Sequence, residues 1–255
     1  EETSASQASE SDESSEESST SESAEDDAEA DQNREIIDMT GRSVVVPSHI
    51  DTIFSQSPVT AIYLYTLVPE KLLGWNYELN EVERSVILEE YQDLPNFGMG
   101  DAINFEAVIA ADPTIALIVG TINDATISDA DALQDSLGIP VVVVEGDLTA
   151  APEAYRFMGD LFGVEDRAEE LAAYAEKTFD DIESMNIPED EKVRIYYGNG
   201  EDSLETAPVG SSHGQLIDMV QGINVADLEM GDGSRVQISA EQLLAWDPDV
   251  IVLNG

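Results

Sequence analysis

Apolar runs of three to five residues punctuate this chain, and between them apolar positions recur at three- and four-residue steps. The runs are bounded and rich in Val and Ile: Val44-Val45-Val46 before Pro47, Ile115 to Val119, and Val141 to Val144. Such runs read as buried strands and the wider spacing as helix. The pattern predicts strands over residues 44–47, 51–54, 72–75, 115–119 and 141–144, and helices over 60–67, 82–91 and 127–137, the last capped by Gly138. From residue 152 to about 185 the pattern is almost continuous helix, broken at Gly163-Val164-Glu165-Asp166. Leu171, Ala175, Phe179 and Ile182 form one apolar stripe there. A helix over residues 167–185 would be about 28 Å long, enough to bridge two lobes. A strand at 193–197, a helix at 215–220 and a strand at 250–253 follow. Strands alternating with helices predict a mostly parallel sheet covered on both faces.

One unit occurs twice. Glu106-Ala107-Val108-Ile109-Ala110-Ala111-Asp112-Pro113 precedes the run at Ile115, and Glu241-Gln242-Leu243-Leu244-Ala245-Trp246-Asp247-Pro248 precedes the run at Val250. In both, Glu opens a short helical pattern and Asp-Pro stops it, because Pro disfavours helical geometry in the residue before it. A helix, a stop and a strand, found twice, suggest two related α/β lobes; the same unit also recurs by chance in α/β proteins.

Composition changes the picture at the amino end. Residues 1–35 alternate Ser, Glu, Asp and Ala without period and hold 14 acidic residues and one Arg. With so little apolar surface to offset ordering entropy, a disordered acidic tether is expected. The remainder keeps 41 acidic against nine basic residues, a net −32 of the full −45, which resembles the acid-coated surface of proteins from salty environments. Nucleic acid and anionic membrane surfaces are poor partners for that field. The absence of Cys excludes disulfides, thiol catalysis and thiolate metal sites. No apolar run is long enough to span a bilayer.

In α/β sheets, ligands bind beyond the carboxyl ends of the strands. The loops there offer Trp75, Tyr77, Tyr197 and His213, side chains suited to gripping a flat or apolar-faced ligand. Tyr197 also fits ordinary strand packing, and His213 a surface loop rather than a metal ligand. With two histidines and no thiol, capture of a bare transition metal is not expected. Gly210-Ser211-Ser212-His213-Gly214 matches the G-x-S-x-G pattern of hydrolase elbows. Ala207-Pro208 stands where a strand should enter, however, and no His follows His213. A serine hydrolase using Ser212 is therefore a distant alternative to a turn that Ser212 could cap. No phosphate-binding glycine loop is present.

Several segments resemble class III solute-binding proteins of ABC importers, the family of ferric-siderophore, haem and vitamin B12 receptors. They are Gly41-Arg42-Ser43 with Val44 to Pro47, Asn104-Phe105-Glu106 with Asp112-Pro113, Gly222-Ile223-Asn224-Val225-Ala226, and Ser239-Ala240-Glu241-Gln242-Leu243-Leu244 before Asp247-Pro248. The resemblance runs from about Ile36 to Gly255 and implies two Rossmann-like lobes joined by a long rigid helix. The expected organisation is a tether at 1–35, an amino-terminal lobe at 36–150, a helical segment at 151–187 and a carboxyl-terminal lobe at 188–255 that appears truncated against the family pattern. The implied function is delivery of an iron chelate or cobalamin-type complex to an ABC permease, without catalysis or a resident cofactor. A molybdate or tungstate receptor, served by Arg42 and Arg235, is the alternative within the family; a non-transporting sensor lobe is another. Glu106 and Glu241 are implied to pair with arginines on the permease. A monomer outside the cytoplasm is expected, lipid-anchored through a removed amino-terminal signal and Cys.

Overall fold

The computed structural model describes residues 33–211, 213–229 and 235–254. Its first element, β1 (Asn33–Ile37), pairs antiparallel with β2 (Ser43–Pro47). The strand therefore takes in Asn33, Arg34 and Glu35, which the composition assigned to the tether. Backbone pairing decides this: register from Asn33 opposite Pro47 to Ile37 opposite Ser43 supplies ladder partners that a charge count cannot foresee. Gly41 turns the hairpin at φ 86°.

Three parallel strands follow in the order β3 (Ile53–Ser55), β4 (Ile115–Gly120), β5 (Val141–Glu145). Alternate residues point to opposite faces, and both faces are buried. Ile53, Ile115, Leu117, Val142 and Val144 meet α1 (Pro58–Leu67) and α5 (Ala151–Phe162). Phe54, Ala116, Ile118, Val141 and Val143 meet α3 (Phe105–Ala110) and α4 (Asp124–Leu137). That is why these strands read as unbroken apolar runs. Each fully buried aliphatic side chain contributes about 1.5–3 kcal/mol.

Two expectations in this half fail. Residues 72–75 form no strand; Leu72 and Trp75 make single bridges to Ile53 and Asn96. The helix expected over 82–91 is α2 (Glu81–Val86) followed by one 3-10 turn at Glu89–Tyr91. The side-chain amide of Gln92 donates to the carbonyls of Arg84 and Ile87, capping the chain where the helix stops.

The long helix, α6 (Glu165–Glu183), packs against α5. Gly163 ends α5 at φ 70°, and Gly159 allows close approach, since a Cβ there would lie 2.4 Å from the Ala168 methyl. Ala168 and Ala172 carry the buried seam of α6, while the expected stripe of Leu171, Ala175, Phe179 and Ile182 is half-buried beside it.

The second sheet has the order β10 (Val250–Asn254), β6 (Arg194–Asn199), β7 (Glu205–Thr206), β9 (Val236–Gln237). β8 (Ile223–Asn224) joins β6 at its amino end, on from α7 (Gln215–Met219). α8 (Ala240–Trp246) leads into β10, which pairs parallel with β6.

The two copies of the repeated unit share their cap, their left-handed Asp and their clamp to the neighbouring strand. Asn104 caps α3 by accepting from the Ala107 amide, and Ser239 caps α8 by accepting from the Gln242 amide. Asp112 and Asp247 both have positive φ, 51° and 46°. After each Asp-Pro, the next residue clamps the neighbouring strand. Thr114 donates its amide to Thr52 O and accepts from the Thr52 amide; Asp249 does the same with Arg194. The Asp residues are left-handed rather than extended as the following Pro predicts, because a left-handed residue completes the helix end and Asp tolerates it. The copies differ in their place in the sheet: β4 is central and buried, whereas β10 lies at the sheet edge with Val250, Ile251, Val252 and Leu253 exposed.

Candidate functional site

Three of the six residues expected to bind ligand converge in the second sheet. Tyr197 lies near the carboxyl end of β6 and is 9% exposed. The ring of His213, which follows the turn Pro208–Ser211 and precedes α7, sits 5.8 Å from the Tyr197 ring at 42°. Arg235, just before β9, brings Nη2 to 3.4 Å from His213 Nε2. β7 stands between β6 and β9 in the sheet, and antiparallel pairing fixes where Arg235 emerges. Partial burial, then the Arg235 charge, hold the His213 imidazole below its usual pKa. Tyr197 lies mostly in a core cluster with Ala207 and Ile217, so the half-buried imidazole and the exposed guanidinium are the groups best placed to meet a ligand and one acceptor group on it.

Polar groups missed in the sequence surround the same strand ends. The Asn254 side-chain amide donates to Asn199 Oδ1, and the Asn199 amide donates to Glu205 Oε2, linking β10, β6 and β7. Their only sequence signal is an Asn before Gly at the end of an apolar run, as in Asn199-Gly200. Gln221, in left-handed geometry at φ 58°, was also missed. Its amide donates to Glu183 O and Ile182 O, and its carbonyl accepts from the Ile187 amide, tying the second sheet's helix α7 to the end of α6. A cavity of about 450 Å³ lies beside it, lined by Phe179, Ile182 and Met219. Another, of about 280 Å³, lies between α4 and the loop at Gly100–Phe105, with Gln56 at its rim.

The other expected ligands are placed elsewhere. Trp75 is 5% exposed, packs on Tyr65 and donates its indole N–H to Tyr91 O, so it offers packing and no free edge. The segment after Trp75 folds back over it, which a strand-end position in sequence does not reveal. Tyr77 is half-buried and donates its hydroxyl to Glu83; burial, then that bond, raise its pKa. Arg42 binds the buried Asp38 carboxylate at 3.1 Å, Asp131 at 3.0 Å and Val141 O, anchoring the β1–β2 hairpin to β5. These bonds commit its guanidinium to the fold.

Glu106 and Glu241 occupy the second position of α3 and α8, and both are exposed. The Glu241 carboxyl is held below its usual range, first by its own backbone amide and then by Ser239. Ser212 lies outside the described residues. Its neighbour Ser211 is buried, donating to Pro208 O and accepting from the Gly214 amide. The turn before Ser211 is not a strand running into a nucleophile. Among the described residues no three His, Cys, Asp or Glu side chains gather to hold a metal, and no helix is long and apolar enough to cross a membrane.

A family model described as periplasmic binding protein matches residues 74–255. An ABC transporter solute-binding protein from Sulfurospirillum deleyianum is 26% identical, with a TM-score of 0.76 over 87% of this chain and 72% of that one. A periplasmic solute-binding protein from Veillonella parvula is 25% identical, with a TM-score of 0.65 over 87% and 68% of the two chains. The molybdate periplasmic binding protein MolA of Haemophilus influenzae, bound to molybdate, is 20% identical, with a TM-score of 0.66 over 86% and 73%. Comparison with curated protein sequences finds no match.

Proposed function

The chain belongs to the periplasmic binding protein family, a solute-binding family that works outside the cytoplasm with ABC transporters, and from that membership we propose that its solute is a metal chelate. The chelate would be an iron complex, siderophore or haem, or a cobalamin-type complex handed to an importer permease. The observation that carries this reading is the cluster of Tyr197, His213 and Arg235 at the carboxyl end of the second sheet. An aromatic ring and an imidazole at 5.8 Å suit a broad, partly apolar complex better than a small hydrated ion. Molybdate or tungstate would call for several donors around one compact anion. Arg42 is committed to Asp38 and Asp131, so Arg235 would stand alone.

The acidic tether expected at residues 1–35 falls, up to residue 32, outside the described residues; we propose that it links the body to a lipid anchor. Glu106 and Glu241 would be the acids that meet the permease, each at the head of an equivalent helix. Catalysis has no part in this reading.

Titration calorimetry of the full-length protein with haem, a ferric siderophore, cobalamin and molybdate tests it. Saturable one-to-one binding of a metal complex is expected. Binding of molybdate alone, or of none of the four, would overturn it.

A further inference from the structure

The longest helix, α6, is bound along its length to the first half of the molecule. The Arg156 guanidinium of α5 donates two hydrogen bonds to Glu169 and a third to Glu176, at 2.7 to 2.9 Å. Arg167 donates to Thr66 O of α1, and Gly159 lets Ala168 sit close against α5. With these ties α6 belongs to the first half, and freedom between the halves begins at its carboxyl end.

At that end one side chain makes the connection. Among the described residues, the hydrogen bonds found between residues 33–187 and 193–254 all run to Gln221, just after α7. Its amide nitrogen donates to the carbonyls of Ile182 and Glu183, in the last turn of α6, where helix carbonyls lack partners within the helix. Its amide oxygen accepts from the Ile187 amide, in the connector that leaves α6. Gln221 does this from φ 58°, a left-handed geometry that disfavours a residue with a Cβ. Such geometry persists only where the surroundings over-determine it.

Packing gives the junction little help. Phe179 and Ile182 of α6 and Met219 of α7 are half-buried there. They line the cavity of about 450 Å³ that Gln221 borders, with Thr149 of the first half on its wall. A gap on one side of an apolar contact forfeits dispersion, so these side chains constrain the angle weakly. Hydrogen bonds are directional and constrain it more.

We infer that Gln221 is a positioning residue: its three hydrogen bonds set the angle between the two halves, and the cavity beside it is the space into which they turn when the bonds are lost. Where a solute meets both halves, that angle decides its fit. This consequence rests on the receptor reading above, whereas the angle itself does not.

The chain has no Cys, so a pair of introduced thiols carries spin labels at unique sites. Asp135→Cys on α4 and Glu201→Cys after β6, both exposed, place one label on each half. Pulsed dipolar spectroscopy of the full-length, solute-free protein then reads the distances between them. A single narrow distribution is expected with Gln221 in place. Gln221→Gly accepts the positive φ and lacks the amide, whereas Gln221→Met keeps the length of the side chain and lacks the amide. Both should shift the mean distance and broaden the distribution. A parental distribution in either folded variant overturns the inference, since the effect would then lie in backbone geometry or side-chain volume and not in the amide. A broad distribution before substitution overturns it too. Loss of cooperative melting in both variants would assign Gln221 to folding instead of positioning. No solute is added, so failure of the receptor reading would leave each of these outcomes as it stands.

Discussion

Asp38 shows how a single acid can be structural in a chain full of acids. It is 3% exposed, yet it takes five hydrogen bonds: from the Thr40 amide and hydroxyl, the Arg42 amide and guanidinium, and the Val143 amide. Removing the carboxylate would strip those donors of their buried acceptor and leave the Arg42 guanidinium on the exposed Asp131 carboxylate and Val141 O. Asp38→Ala should cost about 3–5 kcal/mol in denaturant unfolding, whereas Arg42→Gln should leave solute affinity unchanged. A loss of affinity in Arg42→Gln at parental stability would return Arg42 to the binding site. His213 has a different signature. Its native pKa is depressed, so the unfolded chain takes up the proton first as pH falls. The stability it contributes is full above about pH 6.5 and is lost as pH drops through the lower native pKa. His213→Gln should flatten the profile of melting temperature against pH just below 6.5, and an unaltered profile would show that the imidazole is not held neutral.

At the scale of elements, the repeated unit is the clearest case of structure legible in sequence. Asp-Pro after a short helix marked both stops, and the structure adds what spacing could not show: left-handed Asp112 and Asp247, and matching clamps from Thr114 to Thr52 and from Asp249 to Arg194. Asp112→Val or Asp247→Val should cost about 1–2 kcal/mol, because a branched side chain resists positive φ, while Gly at either position should cost nothing. Equal melting of the Val and Gly variants would mean that these residues are not left-handed in solution. Other elements were hidden for physical reasons. The first strand lies in polar sequence and is held by pairing with Ser43–Pro47. The apolar run at Val250–Leu253 reads like that at Ile115–Val119, yet it is exposed, since a one-dimensional pattern carries no information on which sheet position a strand takes. The site was legible as residue types and not as a constellation. Tyr197, His213 and Arg235 are separated by 16 and 22 positions, and only the pairing of β6, β7 and β9 brings them together. Trp75 and Tyr77 follow an apolar run just as Tyr197 ends one, but the fold-back to Tyr91 and Asn96 places Trp75 inside.

Across the whole molecule, two sheets carry equivalent helices headed by exposed glutamates, and one strand-end cluster joins Tyr197, His213 and Arg235. On the proposed reading, that arrangement would separate docking from binding. Glu106→Ala with Glu241→Ala should leave solute affinity unchanged and sharply reduce importer-driven uptake, the more so at low salt, because rim charges set encounter and orientation. Uptake at the parental rate would reduce both acids to helix-end residues. The central claim, a receptor for a metal chelate, is tested most directly by native mass spectrometry of the protein isolated under mild conditions from its own cells. The account predicts one metal complex per chain, released by denaturation and absent from Arg235→Gln. A bound metal-free solute, such as a sugar or an amino acid, would contradict it.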